Sequence, residues 1–469
     1  MSRPNILLIL TDQQRWDAMS CSGDWVRTPH LDRIAAEGMR FANCVTNSPV
    51  CIPARLSLAT GLYPHNTGVW HNQPSQPSPE QPTWMQTVRA AGYRTSLFGK
   101  THLHPHHGDL RQKEDLMRAY GLDDVDEIGG PRASARLLSH MTASWRDRGK
   151  WEAYQRDFEE RFSNKPHVVR PSSLSLEDYA DVYVGQRARE YLESYDRAEP
   201  WCCWVSFGGP HEPWDAPEPY ASMYDPSTMP PPVAHSPQDH PRPQGELDRL
   251  LANRPDLTPD EVAAMRANYA GNVSLIDDQI GQILAAVEAR GELGNTAIAF
   301  SSDHGEHNGD CGLIYKETFL NGAVRVPLLL RTPATARGSQ SDRICSAPVE
   351  WFDIGPTLVE LAGGEIDYPQ FARSLTPLLE DPTRRHRGEA ISELKGEIML
   401  LDERWKGALN AEGQVYMLFD VQSDPEESTN LAGLPEMRAT GEKLRLRILE
   451  RLVQSQLRGS AYRFDLHQS

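Results

Sequence analysis

Apolar segments with the length of buried strands alternate with helix-like segments along much of this chain, and this alternation constrains its fold most strongly. Four strand-like segments end directly before a polar cluster; they are residues 5–10, 93–98, 201–207 and 296–300. Strands that alternate with helices form mostly parallel sheets covered by helices on both faces. In such sheets ligands bind beyond the carboxyl ends of the strands. The sequence therefore predicts an α/β fold, with a large mixed, mostly parallel sheet sandwiched by helices and a site at one edge of that sheet.

The composition excludes several classes of partner. The chain has 469 residues, of which 39% are hydrophobic, and a formal net charge of −17. It can therefore bury a large core, but its overall charge disfavours a general surface for nucleic acid or for an anionic membrane. The apolar run at residues 6–10 is too short for a signal-peptide core or a membrane span, which predicts a cytoplasmic protein. Seven irregularly spaced cysteines do not form the pattern of a disulfide scaffold or a zinc ribbon.

Two parts of the chain lack clear periodicity and are predicted to be irregular insertions, at about residues 105–175 and 210–255. Four of their aromatic side chains either stack on a sugar or aromatic ring of a ligand or anchor the insertions to the core. These residues are Trp145, Trp151, Tyr154 and Trp214. A histidine-rich stretch within the first insertion, which holds His104, His106 and His107, is expected to be a solvated loop.

The pattern changes near the carboxyl terminus. Four short strand-like segments, at residues 389–393, 397–401, 405–410 and 415–419, precede an amphipathic helix at 435–457. The sequence predicts a large α/β domain at residues 1–383 and a smaller α+β subdomain at 384–469, with a short antiparallel sheet and a helix.

Polar residues after two of the buried strands suit a divalent cation. Asp12 and Gln13 follow the first strand, and Asp303 and His304 follow the strand at 296–300. Two carboxylates would neutralise the charge of the cation, and an amide and an imidazole would complete its ligand shell. Taken one at a time, each residue also has a structural explanation, because strand-end Asp residues are often turn residues and buried His residues are often simply hydrogen-bonded.

Cys51 and Arg55 stand four residues apart where a helix is predicted to begin. Pro53 can occupy the first helical position and Gly61 the end, so Cys51 is expected just before the helix. The free N–H groups there favour an anion, and Arg55 adds a planar fork suited to tetrahedral oxyanions. The pattern predicts anion chemistry beside Cys51, although a buried structural cysteine is an alternative.

The stretch Cys51-Ile52-Pro53-Ala54-Arg55 is similar to the Cys-x-Pro-x-Arg signature of the type I sulfatases, a family of the alkaline-phosphatase-like superfamily. The resemblance covers roughly residues 4–330 and extends weakly to residues 418–431. The further matching positions, in chain order, are Asp12-Gln13, Gly99-Lys100-Thr101-His102, His211, Asp303-His304 and Lys316. The resemblance implies that a formylglycine-generating enzyme converts Cys51 to formylglycine, whose hydrated aldehyde is the nucleophile.

The resemblance also implies one divalent metal ion. Its ligands would be Asp12, Gln13, Asp303 and His304, together with residue 51. Many sulfatases have Asp where Gln13 stands and Asn where His304 stands. Oxygen ligands favour Ca²⁺, our first expectation, whereas Mn²⁺, which tolerates an imidazole, and Mg²⁺ are possible.

The remaining matches imply catalytic roles. Lys100 and Arg55 would hold the sulfate oxygens, and Asp303 would accept the proton of the attacking hydroxyl. His102 would take a proton from the remaining hydroxyl, so that the sulfated enzyme collapses to aldehyde and free sulfate. His211 and Lys316 resemble positions that contact the ester oxygen and would assist the leaving alcohol.

These features predict a sulfatase that hydrolyses an aryl, alkyl or carbohydrate sulfate monoester to an alcohol and inorganic sulfate. One alternative is a phosphonate monoester or phosphodiester hydrolase that uses the same modified cysteine. A second is an unmodified protein that binds sulfated or phosphorylated ligands without turnover. A homo-oligomer formed through the exposed carboxyl-terminal helix is also possible.

Overall fold

The computed structural model of the protein describes residues 3–164, 168–233, 257–338, 343–457 and 464–466. Residues 234–255 of the second predicted insertion lie outside this described part.

Sixteen strands are described, most of them short. In chain order they are β1 (Asn5–Asp12), β2 (Met39–Phe41), β3 (Cys44–Val45), β4 (Ser75–Pro77), β5 (Arg94–Gly99), β6 (Asp124–Glu127), β7 (Trp201–Pro210), β8 (Thr296–Ser302), β9 (Leu328–Arg331), β10 (Arg343–Cys345), β11 (Val349–Glu350), β12 (Ala390–Leu394), β13 (Glu397–Leu401), β14 (Trp405–Leu409), β15 (Val415–Asp420) and β16 (Phe464–Leu466).

Fifteen α-helices accompany these strands in the described ranges. They are α1 (Pro29–Ala36), α2 (Cys51–Thr60), α3 (Pro64–Thr67), α4 (Trp84–Ala90), α5 (Glu114–Ala119), α6 (Gly130–Ser134), α7 (His140–Asp147), α8 (Trp151–Asn164), α9 (Ala180–Ser194), α10 (Pro259–Ala289), α11 (Asn321–Val324), α12 (Pro333–Arg337), α13 (Ile354–Leu361), α14 (Thr376–Glu380) and α15 (Arg438–Gln454).

The main sheet has eight strands in the order β10-β2-β9-β8-β1-β7-β5-β6. The neighbouring strands β8, β1, β7, β5 and β6 all pair in parallel, whereas β9 runs antiparallel to both β8 and β2. The predicted mixed, mostly parallel sheet is thus confirmed. Its five consecutive parallel strands end at the same edge, which positions the residues that follow them close together.

Both faces of the sheet are covered by helices. On β1, Leu7 and Ile9 pack into a core with α9 and α10, whereas Leu8 and Leu10 pack into the opposite core with α2, α4 and α13. Every residue of β1 is buried. This two-sided burial explains why the strand is a continuous apolar run rather than an alternating one.

Residues 41–45 do not form the single strand that their apolar character suggests. The chain turns at residues 42 and 43, so that β2 joins the main sheet and β3 pairs with β11 in a separate two-stranded sheet. The Arg325 side chain donates to the carbonyl oxygen of Ala42 in this turn, at 2.8 Å from Nε. A side chain almost 300 residues away therefore helps to fix a break that local sequence does not encode.

The first predicted insertion contains more regular structure than its sequence indicates. It includes β6, which forms one edge of the main sheet, and the helices α5 to α8. The strand is Asp-Val-Asp-Glu, whose polar composition hides it from a search for apolar runs. The aromatic residues of the insertions anchor them to the protein interior, since Trp145, Tyr154 and Trp214 are each at most 5% exposed. Trp151 is half-buried and donates its indole N–H to the carbonyl oxygen of Ser134.

The carboxyl-terminal part has the predicted antiparallel sheet and helix. Strands β12 to β15 form a four-stranded antiparallel meander. Leu444 and Ile448 of α15 pack on its apolar face, which includes Leu400 and Leu418. The proposed boundary between residues 383 and 384 stays a prediction. Among the described helices, none has the length and apolar composition needed to cross a membrane.

Candidate active site

The carboxyl ends of four parallel strands place four of the predicted site residues around one centre. Asp12 is the last residue of β1, Lys100 follows β5, His211 follows β7, and Asp303 follows β8. All four are buried, with exposed fractions of 0%, 3%, 7% and 0%. The site therefore lies where the topology of the sheet predicts it.

Helix α2 carries Cys51 into the same centre. The helix begins at Cys51 itself, with Val50 as the extended residue before it, so the expectation that Cys51 precedes the helix was wrong by two residues. Pro53 is the third helical residue, where its missing N–H still costs no helical hydrogen bond. The helix ends at the left-handed Gly61 as predicted.

Close packing of β5 against β7 brings Lys100 to the site. Gly99 has φ +115°, and a Cβ there would lie 1.8 Å from the carbonyl oxygen of Ser206. Only glycine permits this approach, after which the backbone N–H of Lys100 donates to that same oxygen at 2.9 Å. The Lys100 ammonium then pairs with Oδ2 of Asp12.

Arg55 bonds to both carboxylates of the site. Its fully buried guanidinium donates from Nε to Oδ2 of Asp303 at 2.7 Å and from Nη2 to Oδ2 of Asp12 at 3.1 Å. Nη1 donates to the carbonyl oxygen of Lys100 at 2.7 Å and to the Ser206 hydroxyl at 3.0 Å. The first two bonds order both carboxylates, and the other two hold the guanidinium in place.

Asp12, Cys51, Asp303 and His304 form a buried cluster whose ligand atoms all lie within 4.8 Å of one another. Nδ1 of His304 donates to the carbonyl oxygen of Gly305 at 3.0 Å, which turns Nε2 toward the cluster. Burial lowers the pKa of this imidazole, but the charges of Asp303 and Cys51 raise it above its ordinary value, so a bound cation would have to displace the proton on Nε2. Burial and the charge of Asp12 raise the pKa of Asp303, although Arg55 opposes this. Two adjacent buried carboxylates with an imidazole lone pair fit a divalent cation.

Gln13, the remaining predicted metal ligand, sits beside this cluster with a left-handed backbone, at φ +70°. Its backbone N–H donates to Oδ1 of Asp303 at 3.2 Å. Its side-chain Oε1 accepts from the Lys316 ammonium, and Nε2 donates to Glu212 and Glu306. The Gln13 carboxamide thus links the cluster to two acidic residues that sequence reasoning missed.

The surroundings of Cys51 favour negative charge at this position. Its Sγ lies 3.0 Å from Nε2 of His304 and 3.5 Å from the Lys316 ammonium. Burial alone would raise the pKa of the Cys51 thiol, but Lys100, Lys316 and His304 together hold it well below its ordinary value. An electropositive pocket of this kind stabilises an anionic nucleophile or an oxyanion.

His102 lies beside Cys51 and has a left-handed backbone, at φ +60°. Burial and the neighbouring charges of Lys100 and His106 lower its pKa well below the ordinary value. A neutral imidazole is able to accept a proton, which suits a general base.

The expected solvated histidine loop was wrong for two of its three residues. His104 and His106 are packed around the buried Glu127, with ring nitrogens 2.7 and 3.1 Å from its carboxylate oxygens, while His107 is exposed. The His106 and His102 rings are in contact at 4.4 Å between centroids. Glu127 lies in β6, the strand that the sequence pattern did not reveal.

The missed residues Glu212 and Glu306 directly follow matched motifs. Glu212 comes after His211, whose Nδ1 donates to the Glu212 carbonyl oxygen at 2.8 Å, and Glu306 comes three residues after Asp303. Burial would raise the pKa of Glu212, but Arg132, His211 and Lys316 lower it to about 2. Burial and the charge of Glu212 raise the pKa of Glu306 to about 8. Their adjacency to His211 and Asp303 was the available signal.

Both the sequence and the structure of this chain are similar to those of known proteins. The sulfatase family model matches residues 4–364. A choline-sulfatase from Rhizobium meliloti is 30% identical over 92% of this chain and 83% of its own length. An ulvan-active sulfatase from Formosa agariphila is 30% identical over 97% of this chain and 82% of its own length. The crystal structure of a phosphonate monoester hydrolase from Agrobacterium radiobacter superposes with a TM-score of 0.79 at 27% identity, covering 97% of this chain and 96% of that one.

Proposed function

The chain belongs to the sulfatase family and is a sulfuric ester hydrolase, and from this premise we propose that Cys51, converted to formylglycine, carries the nucleophile. The observation that carries the proposal is the position of Cys51, which contacts His304 and Lys316 within a cluster that also holds Asp12 and Asp303. Substrates fall into the class of aryl, alkyl or carbohydrate sulfate esters.

The buried cluster supports one bound divalent cation. Asp12, Asp303, His304 and residue 51 would hold it, and the Oε1 atom of Gln13 is available from the adjacent position if Lys316 turns away. Such a cation would supply Lewis acidity and bind a sulfate oxygen beside the nucleophile. We propose Ca²⁺ first because four of the five candidate ligands supply oxygen once residue 51 is formylglycine. Mn²⁺ and Mg²⁺ are the alternatives, and metal analysis of the purified protein distinguishes the three ions.

The protein's own cations are arranged to bind the sulfate group. The Lys100 and Lys316 ammonium groups approach the cluster from different loops, and both lower the pKa of residue 51. Arg55 contributes mainly by fixing the Asp12 and Asp303 carboxylates, since four of its hydrogen bonds go to protein groups. Preorganised charges in a dry site stabilise a transition state without reorganisation.

His211 and Lys316 serve the leaving alcohol in this proposal. Lys316 is 3.5 Å from Cys51 Sγ, and Nε2 of His211 is 4.0 Å from Oδ1 of Asp12. Both groups can place a positive charge or a proton near the ester oxygen. His102, with its lowered pKa and its position beside Cys51, accepts the proton that accompanies sulfate release.

The direct test is turnover of a panel of sulfate esters by a Cys51→Ala variant. We expect hydrolysis to fall to the uncatalysed background while the circular dichroism spectrum is retained. Cys345→Ala is a matched control, because Cys345 is equally buried but lies in β10 at the far side of the sheet. Substantial sulfatase activity in the Cys51→Ala protein would refute the proposal.

Phosphonate monoester hydrolysis is a second candidate activity. The observation in its favour is the similarity to the Agrobacterium radiobacter structure, although the named sulfatase relatives support it less than sulfate hydrolysis. Comparing kcat/KM for 4-nitrophenyl sulfate with that for an aryl phosphonate separates the two activities. A protein that binds these esters but hydrolyses neither would instead be the non-catalytic binder.

Three further predictions concern the cellular setting. We propose maturation by a formylglycine-generating enzyme, a cytoplasmic location and a possible homo-oligomer. Co-expression with and without the converting enzyme, cell fractionation and light scattering at several protein concentrations test them respectively.

A further inference from the structure

Arg132 lies next to the site in α6, a short helix that begins close to Lys100. Gly130 has φ +71°, and a Cβ there would lie 3.3 Å from the Lys100 ammonium nitrogen. This residue opens the short helix α6, so the backbone at Arg132 is only two residues beyond the contact with Lys100. The lack of a side chain at Gly130 therefore allows the start of α6 to lie against Lys100, with Arg132 two residues further along.

Two contacts place the Arg132 guanidinium on the side where the alcohol leaves. It forms an ion pair with Glu212, the residue after His211, and it lies over the ring of Tyr315, the residue before Lys316, at 5.3 Å. The Phe162 ring lies 4.7 Å from the same guanidinium. His211 and Lys316 are the two groups assigned to the leaving alcohol, so Arg132 neighbours both of them.

The side chains of Arg132 and Glu212 differ greatly in solvent exposure. The Glu212 side chain is 2% exposed, whereas that of Arg132 is 48% exposed. The second oxygen of Glu212 accepts from Nε2 of Gln13 at 2.7 Å, so this carboxylate is fully engaged within the protein. A guanidinium has five N–H donors in a planar fork, and the contact with Glu212 uses one of its edges. Arg132 therefore keeps exposed N–H donors beside Glu212 and Tyr315.

We propose that Arg132 binds a second anionic group, on the alcohol part of the sulfate ester, and thereby selects substrates that carry negative charge beyond the sulfate. This inference rests on the proposed function. A carboxylate or a further sulfate matches the bidentate fork of a guanidinium. A quaternary ammonium group would instead meet a cation at this position, so an ester of choline is a poor substrate.

The competing explanation is that Arg132 serves only as the counter-ion of the buried Glu212. The two explanations differ in substrate selectivity. A counter-ion role needs only the positive charge, so Arg132→Lys would then keep the wild-type ratio between a charged ester and a neutral ester of the same shape, whereas loss of a substrate-binding guanidinium fork would lower that ratio. The ratio of kcat/KM values is thus the informative quantity.

The experiment compares 3- and 4-carboxyphenyl sulfate with the corresponding carbamoylphenyl sulfates, which have nearly the same shape but no carboxylate charge. Wild-type enzyme is measured beside Arg132→Gln, Arg132→Lys and the control Arg136→Gln. Arg136 is an exposed arginine one turn further along, with no role in the site. We expect the wild type to prefer the carboxylate esters and Arg132→Gln to lower that preference about tenfold. Arg132→Lys should keep part of the preference, and Arg136→Gln all of it.

An equal carboxylate-to-amide ratio in the wild type and in Arg132→Gln would overturn the inference, even if both esters react more slowly. Should Arg132→Gln not fold, an Arg132→Lys ratio below the wild-type value supports the inference and an unchanged ratio overturns it. A wild-type enzyme that hydrolyses neither these esters nor any other ester of the sulfate panel would overturn the proposed function together with this inference. Hydrolysis of other panel esters but of neither carboxyphenyl sulfate would overturn this inference alone. Hydrolysis of both types with a ratio insensitive to Arg132 would overturn this inference alone.

Discussion

Replacing Arg55 with methionine tests how the two carboxylates of the site are held. The substitution keeps an unbranched side chain of similar length but removes every donor. Oδ2 of Asp12 retains its ion pair with Lys100, whereas Oδ2 of Asp303 has Arg55 as its hydrogen-bond donor at 2.7 Å. Both carboxylates are 0% exposed. The main cost therefore falls on Asp303, whose other oxygen keeps two backbone N–H donors and the more distant imidazole of His304, at 3.6 Å.

The expected magnitude follows from the burial of this pair. Removing one partner of a buried ion pair costs about 3–5 kcal/mol, because an uncompensated charge stays in the interior. Unfolding entropies of about 2 cal/mol/K per residue give about 1 kcal/mol per °C for a chain of this length, so Tm should fall by about 4 °C if the chain unfolds in one step. The measurement is differential scanning calorimetry after dialysis against a chelator, since a cation bound to Asp303 would mask part of the effect.

Two further variants test whether an uncompensated charge on Asp303 causes the loss of stability. Arg33→Met is the matched control, because Arg33 also bonds two carboxylates, those of Glu37 and Glu288, but is 41% exposed and should lose less than about 1 kcal/mol. Adding Asp303→Asn to Arg55→Met removes the unpaired charge and should restore part of the lost stability. If the double variant is no more stable than Arg55→Met alone, an uncompensated Asp303 is not the cause of the loss.

Three other outcomes follow from the structure. His102→Gln should release about one equivalent of nitrophenol from 4-nitrophenyl sulfate and then turn over about 10²–10⁴-fold more slowly, since sulfate release needs a base; equal slowing of the first and later turnovers in stopped-flow measurements would argue against this role. Lys316→Met should reduce kcat/KM more for an alkyl sulfate than for 4-nitrophenyl sulfate, whose leaving group needs little assistance, and equal losses would exclude a leaving-group role. Burial raises the pKa of Asp181 to about 7, although the N–H groups of Gly209 and Gly208 oppose this. The folded state therefore holds this proton more tightly, and its contribution to stability, complete below about pH 4, is lost as the pH rises toward 7 by at most about 1.4 kcal/mol per pH unit. Asp181→Asn removes that loss, so its unfolding free energy relative to wild type should rise between pH 4 and 7 in urea titrations; a constant difference would contradict the shift.

Residues at the strand ends were predictable because they depend on a rule of topology. Asp12, Lys100, His211 and Asp303 each follow a buried parallel strand, and such strands end at one edge of the sheet. The sequence thus indicated which residues would lie close together, although it did not specify how any helix is oriented. The Cys51 helix was also predictable, apart from its first turn, because Pro53 and Gly61 bracket it.

The acidic residues that surround the predicted site residues were not predictable from the local sequence pattern. Glu212, Glu306 and Glu127 become informative only when folding removes them from water beside partners far away in the chain. Arg132 contacts Glu212 across 80 residues, and β6, which carries Glu127, has too few apolar residues to be recognised. The role of these residues depends on their exclusion from solvent and on their pairing with distant residues. Neither property produces a periodic pattern in the sequence.

The central claim is that sulfate ester hydrolysis depends on an aldehyde at position 51. Mass spectrometry of the peptide that contains Cys51, carried out on a preparation of measured sulfatase activity, tests it most directly. We expect the fraction of this peptide with the formylglycine mass to rise and fall in proportion to specific activity across preparations made with and without the converting enzyme. A fully active preparation in which position 51 is entirely an unmodified thiol would contradict it.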